Sequence, residues 1–313
     1  MSMSVEWDAL DRTRWEELFS AAGRSPLVQS WAWGAAKETG GWRCRRALVR
    51  LDGEPVALAQ VLERRLAGLV RLGRLNRGPV WLRDDLPLAE RLAVLAAVRA
   101  PWRVWRLGAL ALAPELPAEA ADRVAGGLCW RRAGDSWRSA WIDLSRPLDQ
   151  LRRGLDGKWR NMLNASEKAG LVVEVREDAA ALDWLLDRYA GLLSEKGFSA
   201  TPPDLVRALA ARSFRPGDVL VLRALSGDEA VAGILLARHG AAATYLIGWN
   251  GDAGRKLKAN NRLLWEAVAE LRRRGLAWLD LGGIDSRLTP GIAAFKRGMN
   301  GEEYGLAGEF AAL

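Results

Sequence analysis

The chain has 313 residues, of which 50% are hydrophobic and 27% are charged. This composition is that of a globular protein with a large core, and it excludes the disordered, collagen-like and disulfide-scaffold classes. The net charge of +8 favours an anionic partner, such as a nucleic acid, a nucleotide, a phospholipid surface or a phosphorylated precursor. At about 150 residues per domain, the length predicts two domains.

Neither a membrane span nor a secretion signal is predicted. The sequence has no run of about eighteen uncharged apolar residues, the length that crosses a bilayer as a helix. Acidic residues occur among the first twenty positions, where a signal peptide would be basic and then apolar. We therefore expect a cytoplasmic protein.

Few side chains are available for nucleophilic or metal chemistry. The cysteines are Cys44 and Cys129, and His239 is the single histidine. A Cys/His zinc cluster cannot be assembled from this set, and a Ser–His or Cys–His pair would depend on His239 alone. Because His239 ends an apolar run and precedes Gly240, we expect it to be a turn residue. No metal site is expected.

The chain contains an internal repeat. Residues 43–59 align without a gap on residues 218–234, and residues 102–108 align on 277–283 at the same offset. Each copy reads as a strand, a turn, a strand, a helix and another strand. We therefore predict two similar domains, 1–148 and 149–313, and leave open an arrangement in which the last strand packs back on the first domain.

The second half of the chain has the order of a GNAT acyltransferase, with helices, an antiparallel meander, then a helix and a strand. The predicted elements are a basic helix at 157–169, a strand at 171–176, a helix at 179–196, strands at 218–225, 229–238 and 242–248, a helix at 258–274, a strand at 276–281, a short helix near 290–298 and a strand near 303–307. The fold class is therefore α/β (α+β), with two tandem GNAT-like domains, mixed and mainly antiparallel sheets flanked by helices, and no coiled-coil arm.

The turn before the long helix departs from that of acetyl-CoA enzymes. In those enzymes it reads R/Q-x-x-G-x-G/A, and its glycines let backbone N–H groups approach the pyrophosphate. Here the frame begins at Arg255 and places Lys258 and Asn260 at the glycine positions. We therefore expect the acyl group to arrive on a carrier other than acetyl-CoA.

Seven segments in one order resemble the Fem-type (FemABX) peptidoglycan aminoacyltransferases, also called non-ribosomal peptidyltransferases. They are PLVQSWAWGAAKETGGW (26–42), NRGPVW (76–81), GKWRNMLNASEKAGLVVEV (157–175), YAGLLSEKGF (189–198), NNRLLWEAVAELRRRG (260–275), LDLGGID (279–285) and GIAAFKRGMNGEEYGLAGEF (291–310). The resemblance implies two fused GNAT domains that move an amino acid from aminoacyl-tRNA onto the stem peptide of a peptidoglycan precursor. It implies no cofactor, since aminoacyl-tRNA is a co-substrate.

The resemblance also implies site residues. Its S-x-W-x-x-x-K motif falls on Ser30, Trp33 and Lys37, and its K-x-R motif falls on Lys158 and Arg160, with Lys37 and Arg160 matching residues that contact the precursor phosphates. Its F-K pair falls on Phe295 and Lys296, with Lys296 matching the lysine thought to support the transition state. We expect the Lys296 side chain to be exposed.

Other residues are candidates for nucleic-acid or nucleotide binding because they are basic or aromatic. The basic cluster of Arg255, Lys256, Lys258 and Arg262 is a candidate tRNA site, because neutralising phosphates generates most nucleic-acid affinity. Part of this positive charge is paired with acidic residues at i,i+4 spacing, which stabilises the helix. Of the 16 tryptophans, Trp102, Trp105, Trp184 and Trp278 are expected to be core, whereas Trp31, Trp33 and Trp159 adjoin the motifs and are candidates for stacking on a base or sugar.

The proposed partners are aminoacyl-tRNA and a UDP-linked or lipid-linked precursor, with peripheral contact to the inner membrane face left open. Two alternatives stay open at the level of sequence. One is a GNAT-like acyltransferase acting on an exopolysaccharide or a small metabolite. The other is a non-catalytic basic adaptor for anionic polymers.

Overall fold

A computed structural model of the chain describes residues 2–127, 130–131, 136–196, 201–285, 287 and 289–312. Cys129 lies outside the described residues, and so does the end of the YAGLLSEKGF segment. The described strands are β1 (Met3–Trp7), β2 (Arg43–Leu51), β3 (Glu54–Leu66), β4 (Val70–Gly78), β5 (Val80–Trp81), β6 (Gly108–Pro114), β7 (Trp130–Arg131), β8 (Arg138–Asp143), β9 (Val172–Arg176), β10 (Val219–Ser226), β11 (Glu229–His239), β12 (Ala242–Asn250), β13 (Trp278–Asp280), β14 (Glu302–Gly305) and β15 (Phe310–Ala312).

The described α-helices are α1 (Arg12–Ala21), α2 (Trp31–Glu38), α3 (Leu88–Arg99), α4 (Ala121–Gly127), α5 (Leu148–Gly154), α6 (Gly157–Lys168), α7 (Ala179–Lys196), α8 (Pro203–Ala211), α9 (Asp252–Lys256), α10 (Ala259–Arg273) and α11 (Pro290–Arg297). Within the described ranges, no helix combines the length and the hydropathy that crossing a bilayer requires. The chain divides into two units, one of Met1–Arg138 with Tyr304–Leu313 and one of Ser139–Glu303.

The first unit contains a sheet in the order β1-β2-β3-β4-β6-β15-β7, with β5 paired to β3. Its buried residues alternate between two faces, as expected for a strand covered on both sides. Along β2, Ala47 and Val49 belong to the core that α3 completes, while Leu48 packs with Trp15 and Phe19 of α1. The sheet therefore lies between helices, and β15 brings the end of the chain into it.

The second unit contains a sheet in the order β14-β8-β13-β12-β11-β10-β9, in which β12 and β13 are parallel. The apolar face of α10 packs on one side of this sheet together with α6, since Leu263 and Leu271 share a core with Leu163. On the other side, Leu185 of α7 packs against Leu235 of β11. Each helix predicted in this half of the chain is present within three residues of the predicted bounds, and the predicted fold class is confirmed.

The two units divide ten residues before the boundary predicted at 148. The reason is β8, which pairs antiparallel with β13, so that Trp141 lies opposite Asp280. This strand brings Ser139 and the residues after it into the second sheet. The last strand, β15, pairs with β6 and β7 of the first sheet.

Two predictions are wrong. The repeat predicted a strand over residues 102–108, and Trp105 was expected to lie in the core. Residues 100–106 form 3-10 turns, and β6 begins only at Gly108. The turns place Trp102 in the core, fully buried and with its ring 5.3 Å from the ring of Trp7. They also expose Trp105, which was expected to be core and is 73% exposed.

His239 is also not the turn residue that its neighbours indicated. It is the last residue of β11, and Gly240 with φ of +53° makes the turn that follows. The His239 side chain is buried, and its Nε2 lies 2.8 Å from the Thr244 hydroxyl across the hairpin. The single histidine is therefore a hydrogen-bonded core residue.

Candidate functional site

The turn after β13 is built around a buried carboxylate. Asp280, at the end of this strand, accepts a hydrogen bond from the Gly282 backbone N–H at 2.9 Å. The Ser139 hydroxyl on β8 donates to the same carboxylate and lies 2.8 Å from the Gly282 carbonyl oxygen. Gly282 has φ of +70°, and a Cβ there would lie 2.7 Å from the Tyr245 carbonyl oxygen. These contacts fix the path of the chain after the strand.

Lys296 points into this turn from α11. Its Nζ donates a hydrogen bond to the Gly283 carbonyl oxygen at 2.8 Å and lies 5.4 Å from the centre of the Tyr245 ring. The side chain is only 8% exposed, so the expectation of an exposed lysine is wrong. It lies three residues after the buried Ala293, and residues at that spacing share one face of a helix.

The surroundings of Lys296 adjust its charge. Burial lowers the pKa of Lys296 to about 8, while the negative charge of Asp280 acts in the opposite direction and favours the ammonium form. Burial raises the pKa of Tyr245, which keeps its hydroxyl neutral. At neutral pH the turn therefore holds a buried positive charge on Lys296.

Phe295 connects this helix to the basic helix α6. Its ring lies 6.0 Å from the ring of Trp159, and a Cβ at Gly298 would approach Trp159 Cδ1 to 2.5 Å. The Asp156 backbone N–H donates to the Gly298 carbonyl oxygen, and the Asn300 side chain donates to the Gly154 carbonyl oxygen. The end of α11 and the start of α6 are therefore held together, so that Phe295 acts as a packing residue beside Lys296.

The first turn of α6 carries cations where acids are usual. Asp156 caps this helix by accepting from the backbone N–H groups of Lys158 and Trp159. Lys158 is exposed, and Arg160 is partly exposed and donates to the Arg153 carbonyl oxygen. Cations oppose the helix dipole at an N-terminus, whereas a bound anion is favoured there. This charge pattern is consistent with the predicted phosphate contact of Arg160.

In the first unit, Lys37 lies in a group of cations. It is partly exposed near the end of α2, and its Nζ lies 5.6 Å from the centre of the Trp33 ring. Burial, Arg74 and Arg64, in that order, lower the pKa of Lys37. Such mutual repulsion between cations is relieved when an anion binds among them. The arrangement is consistent with a phosphate contact and adds Arg64 to the predicted residue, whereas Arg74 pairs with Glu309 at 3.1 Å.

Ser30 and Trp33 position Lys37. The Ser30 hydroxyl accepts from the Trp33 backbone N–H at 3.2 Å and thereby caps α2. Gln60 donates to the Ser30 carbonyl oxygen, which holds this cap against β3. Ser30 is 3% exposed and Trp33 is 8% exposed. Both are predicted to bind substrate, and in the structure they also cap and pack the helix that carries the lysine.

The candidate tRNA segment divides into engaged and exposed cations. Arg262 pairs with Glu266 at 2.9 Å and with Glu167 at 3.4 Å. Arg255 pairs with Asp252, whereas Lys256 and Lys258 are exposed. Arg255 is itself exposed, so three of the four predicted cations are accessible and Arg262 is the partly buried one.

The backbone at Lys258 has the conformation of the glycine turn that precedes the long helix in acetyl-CoA enzymes. It has φ of +57°, a conformation that glycine adopts most readily, and α10 begins at the next residue. Its Nζ folds back to the Arg255 carbonyl oxygen at 3.3 Å. The loop therefore keeps the course of the glycine turn while a lysine stem occupies its surface.

The three tryptophans that are candidates for stacking differ in exposure. Trp159 is 4% exposed and is packed by Phe295, and Trp33 is buried under Lys37. Trp31 is partly exposed, but the Arg46 guanidinium lies 3.7 Å from the centre of its ring. Trp33 and Trp159 are therefore buried packing residues, and Trp31 is stacked by Arg46.

Sequence reasoning missed the residues that hold the cations. Asp280 is part of the LDLGGID segment but is not a sequence-based candidate, and in the structure its charge acts on Lys296. Ser139 is distant in sequence and meets Asp280 only because β8 joins the second sheet. A lone acid inside an otherwise apolar strand ending, WLDLGG, was the available signal.

Comparison with known proteins agrees with this architecture. Residues 150–297 match a family model described as an acetyltransferase (GNAT) domain. Among solved structures, FemX superposes with a TM-score of 0.81 at 17% identity, covering 98% of this chain and 97% of FemX. The chain has the fold of FemX. The predicted resemblance to the Fem-type transferases is thus confirmed in the fold, and the second unit carries a GNAT domain.

Two further solved structures share this fold with lower TM-scores. The C-terminal domain of a putative lysylphosphatidylglycerol synthetase from Agrobacterium fabrum has a TM-score of 0.53 at 16% identity, covering 96% of this chain and 92% of that one. A tandem GNAT protein from the clavulanic acid biosynthesis pathway has a TM-score of 0.54 at 14% identity, covering 99% and 98%. No curated protein matches the sequence. The comparisons support an acyltransferase fold.

Proposed function

We propose that this acyltransferase-fold protein transfers an amino acid from aminoacyl-tRNA to the stem peptide of a peptidoglycan precursor. The observation that carries the proposal is the buried cation Lys296, held against the Gly282-Gly283 turn in the GNAT domain. The likeness to FemX supports the same assignment. The cations around Lys37 and at the start of α6 fit phosphate groups of the precursor and of tRNA.

The reaction requires alignment and charge more than a protein nucleophile. The aminoacyl ester is already activated, so the amine of the acceptor attacks its carbonyl carbon directly. The C–N bond forms, the negative charge moves to the carbonyl oxygen, and the C–O bond to the tRNA ribose then breaks. The amine loses a proton and the departing ribose oxygen gains one, so the products are an amide and a free ribose hydroxyl. This chemistry needs no cofactor besides the co-substrate.

Lys296 is suited to the charged intermediate. One of its three N–H groups bonds to the Gly283 carbonyl oxygen. Among the described residues, Gly283 is the one hydrogen-bond acceptor of this ammonium, which leaves its other two N–H groups for a substrate oxygen. A cation held in advance favours the oxyanion more than the neutral ester, so it lowers the barrier without tightening substrate binding equally.

Mass spectrometry tests the proposal. Full-length protein is incubated with a mixture of aminoacyl-tRNAs and either a UDP-linked or a lipid-linked precursor. We expect the precursor mass to increase by one amino-acid residue with wild type and to stay unchanged in the same time with Lys296→Met. Lys168→Met, an exposed lysine at the end of α6, is the matched control.

One structural relative suggests a different acceptor, and the same assay can detect it. Because one structural relative is a putative lysylphosphatidylglycerol synthetase, phosphatidylglycerol is offered as a third acceptor. A mass increase on this lipid alone would replace the precursor with a lipid acceptor. Binding of tRNA without any acyl transfer would instead make the protein an adaptor and overturn the proposal.

A further inference from the structure

Exposed apolar residues concentrate at one end of the first sheet. The tip of the β3–β4 hairpin exposes Leu66 by 61% and Leu69 by 70%, and Leu72 at the start of β4 is 40% exposed. The turn before β6 exposes Trp105 by 73% and Leu107 by 57%. Isolated exposed apolar side chains are common in soluble proteins, but a contiguous group marks an interaction surface.

Strand pairing brings these two segments together. Leu66 pairs with Val70 across the hairpin, and the Arg71 backbone N–H donates to the Leu107 carbonyl oxygen at 2.8 Å. Because β4 and β6 are parallel and β3 runs against them, the tip of the hairpin and the turn before β6 lie at the same end of the sheet. We call residues 65–72, 103 and 105–107 the hairpin patch.

The charge of the hairpin patch has one sign. Neither residues 64–76 nor residues 99–114 contain an aspartate or a glutamate. Arg65 and Arg106 are exposed, and the Arg103 guanidinium lies 5.0 Å from the centre of the Trp105 ring. Glu63, at the edge of the patch, is 1% exposed on its side chain and is paired with Arg71. The exposed surface is therefore apolar and cationic.

We propose that the hairpin patch docks on an anionic phospholipid surface. Aliphatic side chains at a loop tip gain from transfer into the acyl boundary, a tryptophan suits the interface, and arginines attract anionic headgroups. A nucleic acid would use the arginines and Trp105 but offers nothing to the leucines. A second copy of the chain would place like charges against each other.

Vesicle flotation of the full chain tests the proposal, and it is independent of the transfer reaction. Wild-type protein is mixed with vesicles of phosphatidylcholine, either pure or containing phosphatidylglycerol. We expect flotation only with phosphatidylglycerol, and less of it at high salt, because exposed charges are screened. Failure to float with phosphatidylglycerol overturns the proposal.

Paired variants separate the apolar and the charged contributions. We expect Leu66→Ser with Leu69→Ser to weaken vesicle binding at least tenfold, and Arg65→Gln with Arg106→Gln to weaken it about fivefold for each arginine. Matched controls are Val172→Ser with Phe214→Ser, which are 60% and 38% exposed elsewhere, and Arg83→Gln with Arg153→Gln. The control pairs are expected to bind like wild type.

Two further outcomes would contradict the proposal. If the hairpin variants float as well as the control variants, another surface binds the vesicles and the patch proposal is wrong. If the patch instead binds an RNA oligonucleotide, with loss in the arginine pair and in Trp105→Ala but not in the leucine pair, the partner is a nucleic acid. Thermal unfolding of each variant confirms that folding is retained, as expected for exposed side chains.

Discussion

Lys296 and Asp280 are joined through a two-residue turn. The Lys296 ammonium donates to the Gly283 carbonyl oxygen, and the Asp280 carboxylate accepts from the Gly282 backbone N–H. The carboxylate therefore does two things, since it fixes the turn that the lysine contacts and it supplies negative charge that favours the protonated lysine. The catalytic proposal and the pH behaviour of the protein both depend on this relationship.

Replacing Lys296 is expected to reduce the rate of transfer. Lys296→Met keeps the stem without the charge, and loss of one oxyanion donor typically lowers kcat by about 10²–10³-fold. We expect kcat and kcat/KM to fall together, because the charge acts mainly in the transition state. Single-turnover transfer from aminoacyl-tRNA measures this. A folded variant whose rate stays within about threefold of wild type excludes Lys296 as the donor.

The same substitution is expected to alter the pH dependence of stability. Burial lowers the pKa of Lys296 to about 8, against about 10.4 in the unfolded chain. Between these values the unfolded state binds more protons, so the free energy of unfolding rises with pH. The rise is roughly 3 kcal/mol at most, and it is present in wild type and absent in Lys296→Met. Denaturant unfolding of both proteins from pH 7 to 10.5 measures it. Identical slopes would mean that the buried lysine titrates normally.

Much of this fold was readable from periodicity and from the repeat. The apolar spacing in residues 258–274 predicted α10, and the strand-turn-strand signal at 43–59 and 218–234 matched β2–β3 and β10–β11. The repeat failed at residues 102–108, since a local pattern does not show that Trp102 must enter the core from a turn. Tertiary packing overrode the local signal there.

The site was predictable by residue type but not by environment. Lys37, Arg160 and Lys296 were identified from motif order, while the burial of Lys296 depends on which face of α11 meets the sheet. The partner of Asp280 is 141 residues away in the sequence, so spacing gives no signal for it. For Ser30 the motif identifies the residue, and only the structure shows that its hydroxyl caps the N-terminus of α2.

Removing either predicted phosphate contact is expected to weaken acceptor binding. Lys37→Ala and Arg160→Ala should each cost about 1.5–3 kcal/mol, the range for charge-assisted hydrogen bonds. KM is expected to rise with little change in kcat, because these contacts are present before and during the reaction. Arg64→Ala, beside Lys37, should act in the same direction. Calorimetry with a UDP-linked precursor measures the affinities, with Lys168→Ala as control, and unchanged affinity in both alanine variants would reduce these residues to surface cations.

Acetyl-CoA is not expected to bind. The turn before α10 keeps the backbone course of a glycine turn, but Lys258 and Asn260 place side chains where the pyrophosphate would approach backbone N–H groups. Titration calorimetry with acetyl-CoA should therefore give no heat of binding. Micromolar affinity would show that the lysine stem moves aside and would turn the functional assignment to an ordinary acetyltransferase.

Neutralising Asp280 is expected to move the pH–rate profile without removing the turn. Asp280→Asn keeps a side-chain oxygen for the Gly282 N–H and the Ser139 hydroxyl but removes the charge that raises the pKa of Lys296. If the reaction needs the ammonium form, the rate falls as pH rises through the pKa of about 8 in wild type, and this fall begins at lower pH in the variant.

The other charged and titratable groups near Lys296 do not explain such a shift. Tyr245 beneath it stays neutral because burial raises its pKa, Arg297 on the same helix pairs with Glu303, and Lys158 and Arg160 on α6 are unchanged by the substitution. Ser139→Ala serves as the comparison, because it loosens the turn without changing charge. We expect a lower rate with an unshifted profile for Ser139→Ala and a shifted profile for Asp280→Asn, both measured by single-turnover transfer. Equal profiles in the two variants would show that Asp280 acts only by shaping the turn.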